Sequence, residues 1–197
     1  MEFLTWLENT SFATWERESL SLFAYPFILV LHTVGLGFLV GTSAGICLRI
    51  LGVASGLPLA PMEKYYRVLW VGFWVNAASG VLLLPTAAVN FFTAEWIFYV
   101  KLGAIAVAMV TTAMIRREVF LRTNPDAAPL SAKAKILART TLGLWGLAIV
   151  AGRLMAYPNF VELSAGRAFI IITVVVLAVG AIVRPLLFQR GALRHAV

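Results

Sequence analysis

Charge is scarce in this chain. Only 13% of its 197 residues are charged, against roughly 25% in soluble domains. There is one cysteine and there are two histidines. Cys47 alone excludes an intramolecular disulfide and any cysteine-based metal site within one chain. In its apolar setting it reads as a small buried hydrophobe. The motifs of soluble enzymes are missing too: no phosphate-binding loop, no dinucleotide glycine pattern and no zinc-binding histidine pair. Ser43 and Ser79 have no adjacent base. The net charge is +7, but no basic stretch is interleaved with aromatics, which argues against nucleic acid as a partner. The N-terminal stretch does not read as a cleavable signal. The first twenty residues hold Glu2, Glu8, Glu16 and Glu18 against Arg17 alone, where a signal needs a basic start followed by an apolar run.

What the chain has in abundance is apolar surface: 61% hydrophobic residues and a mean hydropathy of +0.90. A single soluble core of this length could not bury that much, so lipid must cover the excess. The pattern predicts an all-α integral membrane protein, a single transmembrane domain of about five helices spanning 20–51, 66–89, 96–115, 137–157 and 168–188. Each is near the roughly 20 residues needed to cross the hydrocarbon core. Residues 1–19, with Phe3, Leu4, Trp6, Leu7, Phe12 and Trp15 among glutamates, read as a short amphipathic helix in the membrane interface. Arg49, Lys64 and Arg67, the cluster from Arg116 to Arg139, and Arg184, Arg190 and Arg194 all fall on one side of this bundle. The positive-inside rule makes that side the cytoplasm, with the N-terminus outside and the C-terminus inside. Gly37, Gly41 and Gly45 form a stripe suited to close approach by another helix, of this chain, of a second copy or of another membrane subunit.

Intramembrane ionisable groups are the functional candidates, because each is costly to hold there. His32 lies about 12 residues into the first span, about 18 Å at 1.5 Å per residue. An imidazole at that depth suits an axial ligand of haem b or a proton carrier beside a quinone. It equally suits a hydrogen bond between helices, with Asn76 at similar depth as the partner. Lys101 and Arg153 sit about one turn from the opposite-sign side of their spans, where basic residues are disfavoured. They either snorkel to headgroups or line the mouth of a pocket with His32 at its floor. Met109, Met114 and Met155 are the available second haem ligands, although methionine in an apolar helix is ordinarily filler.

The runs Leu31-His32-Thr33-Val34-Gly35-Leu36-Gly37 and Trp70-Val71-Gly72-Phe73, Ser79-Gly80 and Val100-Lys101-Leu102 carry a resemblance. Together they resemble an uncharacterised family of small bacterial multi-pass membrane proteins, which implies a place in a bacterial inner membrane. More distantly, the chain looks like the copper-resistance D-type membrane proteins and the membrane-embedded, haem-binding protoporphyrinogen oxidase. That oxidase family has a first-helix histidine in a Leu-His context and a third-helix lysine in a Val-Lys-Leu context, matched by His32 and Lys101. It carries a further histidine towards the end of the third helix, where this chain reads Ala108-Met109-Val110-Thr111-Thr112. The resemblance implies a redox or tetrapyrrole setting. The expectation is a membrane-embedded redox subunit holding haem b or a quinone within a larger electron-transfer assembly. The alternative is a non-catalytic structural or anchor subunit. A small copper or solute transporter is a third reading, without a methionine-rich track to carry the metal.

Overall fold

A computed structural model describes residues 1–93, 96–121, 125–126 and 129–155. The expected fifth span, 168–188, and the C-terminal tail lie outside the described residues. Within them the chain is all-helical: α1 Glu2–Glu8, α2 Ser11–Glu18, α3 Tyr25–Ile50, α4 Tyr65–Leu83, α5 Ala88–Thr93, α6 Trp96–Ile115 and α7 Ala132–Leu154. Four stretches are long and apolar enough to cross a membrane: Tyr25–Ile50, Ala60–Thr86, Trp96–Phe120 and Ala132–Leu154.

The helix boundaries follow local chemistry. Pro26 in the first turn of α3 sets the start of the helix at Tyr25, five residues later than the hydropathy suggests. Pro85 lies in a short 3-10 turn, Leu84–Thr86, that follows α4, so the expected second span splits into α4 and the separate α5. Ser131 caps α7, its Oγ accepting from the Ala134 amide at 3.1 Å. That cap lengthens the fourth span by a turn, to Ala132. The single N-terminal helix expected over 1–19 is two helices. Thr10 accepts from the Ala13 amide at 3.3 Å and caps α2, which breaks the run at Asn9–Thr10.

The spans pair as two hairpins. α3 packs on α4, α6 packs on α7, and the principal link between the pairs is α3 against α7. α4 and α6 have few contacts. Between α3 and α4 the closest approach is made by Gly35 and Gly72. A β-carbon on Gly35 would lie 2.6 Å from the Asn76 amide nitrogen, and one on Gly72 would lie 2.7 Å from that of Leu39. The stripe singled out by its spacing behaves differently. Gly37, Gly41 and Gly45 are exposed, and a β-carbon on any of them would meet nothing within 4 Å among the described residues. Their register places them on the face of α3 turned away from α4.

Several polar side chains of the spans are buried between the helices: Ser43, Asn76, Ser79, Thr111, Thr112 and Thr141. Trp145 is 1% exposed and donates its indole N–H to Ser43 Oγ at 3.0 Å, tying α7 to α3. The hydroxyls of Thr141 and Thr111 are 2.7 Å apart and tie α7 to α6. Phe27, Val34, Phe38, Trp74, Val110 and Ile136 are exposed, an apolar belt far larger than a soluble monomer carries.

One clip lies outside the spans. The Asp126 carboxylate accepts from the Leu59 amide at 2.7 Å and the Ala60 amide at 3.1 Å, joining the α6–α7 loop to the α3–α4 loop. These two amides hold the Asp126 carboxyl below its ordinary range, helped by Arg49. A depressed folded-state value means that the clip's contribution is present above the unfolded carboxyl value and is lost as pH falls through the folded one. Amide exchange at Leu59 and Ala60 is expected to be slow at neutral pH and to speed up, relative to intrinsic rates, below the usual carboxylate range. Asp126→Asn should show fast exchange at both pH values. Slow exchange in that variant would mean the clip does not hold the loop.

Candidate functional site

His32 lies about two turns into α3, in the third of the helix nearest the α1–α2 cap, with Asn76 opposite it on α4. The later start of α3 makes it shallower in its helix than the distance from Leu20 implied. Its ring and Asn76 form a reciprocal clamp. His32 Nδ1 lies 3.0 Å from the Asn76 carbonyl oxygen, and Asn76 Nδ2 donates to the His32 carbonyl at 2.8 Å. A carbonyl only accepts, so Nδ1 carries the proton. Ser79 Oγ, 3.2 Å from Nδ1, gives its own proton to the Val75 carbonyl at 2.6 Å. Both hydrogen bonds therefore fix one tautomer, with the lone pair on Nε2. That nitrogen has no hydrogen-bond partner among the described residues. Gly80 makes room for the ring: a β-carbon there would lie 3.2 Å from His32 Cε1.

Lys101, about one turn into α6, turns toward the neighbouring helix. Its Cε lies 3.5 Å and its Nζ 3.7 Å from where a β-carbon on Gly152 of α7 would stand. The stem is half-buried along α7. Arg153, the next residue along α7, is exposed. The fold thus brings His32 and Asn76 into direct contact, lays Lys101 over Gly152 of α7, and leaves Arg153 on the surface beside that glycine. Met109 is in the other half of α6, in a cleft with Tyr66 and Trp70. Among the described residues no group of three or more histidine, cysteine or acidic side chains converges to hold a metal ion.

The cap over this end of the bundle holds a residue whose burial the sequence does not signal. Glu16 reads as one more glutamate on an amphipathic helix. In the fold it is 1% exposed, and neither carboxylate oxygen has a hydrogen-bond partner among the described residues. Burial pushes its carboxyl above the ordinary range, against the opposing charge of Arg17. The cap is pinned by Glu8, which accepts from the Val89 amide at 2.8 Å. Arg17 donates to the Glu8 carbonyl at 2.8 Å and to that of Pro85 at 3.5 Å. These contacts place α1 and α2 against the α4–α6 connection, with Phe3, Trp6, Phe12 and Trp15 turned outward.

Fold and site together define an all-helical membrane protein with a histidine clamped between its first two long helices. No protein family, curated protein or solved structure matches the chain.

Proposed function

We propose that this chain is a membrane-embedded redox subunit of a larger electron-transfer assembly, holding haem b or a quinone at His32. The observation that carries the reading is the fixed tautomer of His32. Nδ1–H is committed to a helix carbonyl, as is usual for histidines that ligate through the other nitrogen, and Nε2 is left without a partner. Lys101 serves the same ligand. Its ammonium would pair with a haem propionate or donate to a quinone carbonyl, while His32 Nε2 would ligate iron or accept a proton from a quinol hydroxyl. Asn76 positions the ring, and Arg153 stands at the membrane surface where an acidic group would emerge. With one imidazole among the described spans, a haem here would be five-coordinate or completed by a partner subunit.

The reciprocal clamp favours a second reading, in which His32 and Asn76 only join α3 to α4 and the chain is a structural anchor. The two readings separate in one experiment. The purified, dithionite-reduced full chain is examined by visible spectroscopy, and its organic extract is assayed for quinone. The redox reading expects a haem band or a stoichiometric quinone. His32→Gln retains an amide donor for the Asn76 carbonyl but provides no imidazole nitrogen. It should abolish the signal with little change in thermal stability, and Lys101→Gln should weaken retention about tenfold, the order expected for one charge-assisted hydrogen bond. A protein with neither cofactor, destabilised by His32→Ala and rescued by His32→Gln, is an anchor.

The same reading places the basic loops in the cytoplasm of a bacterial cell. Reporter fusions at residue 126 and at the C-terminus should both report cytoplasm, and a periplasmic signal at either would sink the five-span topology. The exposed Gly37, Gly41 and Gly45 face is the surface proposed to meet a second copy or another membrane subunit.

A further inference from the structure

At the basic end of the bundle, away from His32, a cleft lies between α4 and α6. Its deeper part has a volume of about 220 Å³ and is lined by Tyr66, Leu69 and Trp70 from α4 and by Met109, Thr112 and Ala113 from α6. Arg116 and Arg117 close its upper wall. It is continuous, through Tyr66, Trp70 and Arg116, with a wider hollow of about 550 Å³ that adds Glu63, Lys64 and Arg67. From Met109 to Arg116 the wall is seven residues long, about 10 Å at 1.5 Å per residue.

We propose that this cleft binds an anionic phospholipid, with the phosphate at Arg67, Arg116 and Lys64 and the glycerol and upper acyl chain along Trp70, Met109 and Ala113. Two features converge on that occupant. The first is charge: four cations, Lys64, Arg67, Arg116 and Arg117, surround the mouth against one carboxylate, Glu63, which already pairs with Arg116 at 3.1 Å. Basic pockets between transmembrane helices are suited to acidic headgroups. The second is the gradient along the cleft, which passes from guanidinium to aromatic to aliphatic over about 10 Å, matching the polarity profile of a lipid rather than of a free anion. Thr112 lines the cleft, and its carbonyl accepts from the Tyr66 hydroxyl at 3.3 Å. The rigid side of the site comes from the same tyrosine, whose ring stacks edge-on to Phe120 at 5.5 Å and lies 5.6 Å below the Arg116 guanidinium.

This inference is independent of the cofactor at His32. The test uses the full chain in detergent with either dioleoyl phosphatidylglycerol or dioleoyl phosphatidylcholine, read by native mass spectrometry and thermal melting. Phosphatidylglycerol is expected to be retained at one copy per chain at least tenfold more tightly than phosphatidylcholine, and to raise the melting temperature. Arg67→Gln with Arg116→Gln should remove the preference. Glu63→Gln should strengthen it by releasing Arg116. Ala113→Trp keeps every charge and fills the cleft, and its site is open, so the fold should survive. It should lose the bound lipid. Retention of lipid by Ala113→Trp would overturn the proposal, because binding would then be surface electrostatics alone. So would an equal melting shift from millimolar inorganic phosphate, which would make the site one for a free anion.

Discussion

Gly72→Leu is expected to keep α3 and α4 from closing, and the variant should fail to give a monodisperse protein or should melt far below the wild type. The contact is backbone on backbone. A β-carbon at 72 would lie 2.7 Å from the Leu39 amide nitrogen and 2.9 Å from the Gly35 carbonyl oxygen, and neither is the far end of a side chain that could swing away. Relief requires the helices to separate. Separation also breaks the His32–Asn76 clamp one turn away, because both of its long-range hydrogen bonds need the helices at their present distance. Overpacking in a close-packed interior typically costs 1–3 kcal/mol, and a leucine forced between two backbones lies at the upper end or beyond. Even Gly72→Ala should lower the melting temperature. Gly41→Leu is the matched control. It adds the same side chain to the same helix pair at a position with nothing within 4 Å among the described residues, so the isolated chain should tolerate it. If Gly41→Leu instead disrupts a dimer or a complex with another subunit, the exposed stripe is the docking face proposed above. Equal melting of Gly72→Leu and wild type would mean that α3 and α4 do not cross at this glycine pair.

The second large effect is at Trp145. It fills the space between α7 and α3 beside Leu39, Leu69, Ala104, Ala108 and Ala148, where the two hairpins meet. In lipid the gain from removing apolar surface from water has already been made on insertion, so this side chain stabilises by dispersion contacts and by its hydrogen bond. Trp145→Ala removes the contacts and leaves a cavity; in soluble cores the change costs about 3–5 kcal/mol, part of it transfer from water, so the loss here should fall below that range. With α3–α7 as the principal link between the hairpins, the loss should appear as a separation of α3–α4 from α6–α7 before either hairpin unfolds. Pulsed hydrogen exchange or cysteine accessibility along α3 would read it. Trp145→Phe keeps most of the bulk and loses only the bond to Ser43, for which about 0.6 kcal/mol is a representative value between membrane helices. A small effect of Trp145→Ala, no larger than that of Trp145→Phe, would mean that the hairpins are held elsewhere.

Hydropathy alone determined the helical class, the positions of four long apolar helices and their approximate ends. In lipid every backbone polar group must pair within its own segment, so a run of about 20 apolar residues has few alternatives to a helix. It also singled out His32, Lys101 and Asn76, because a polar group among apolar neighbours is conspicuous whatever it touches. The sequence could not say which glycines are contacts. Gly37, Gly41 and Gly45 recur at regular spacing, yet Gly35 and Gly72 are where the backbones meet, since contact depends on which face of α3 turns to α4. A nearly uniform apolar helix carries no moment to fix that rotation. Nor could it foresee the burial of Glu16, which comes from α2 folding back over the α4–α6 connection, or the cleft below Arg116, which lies between α4 and α6. Both arise from packing between segments distant in the chain, and only the tertiary structure decides them.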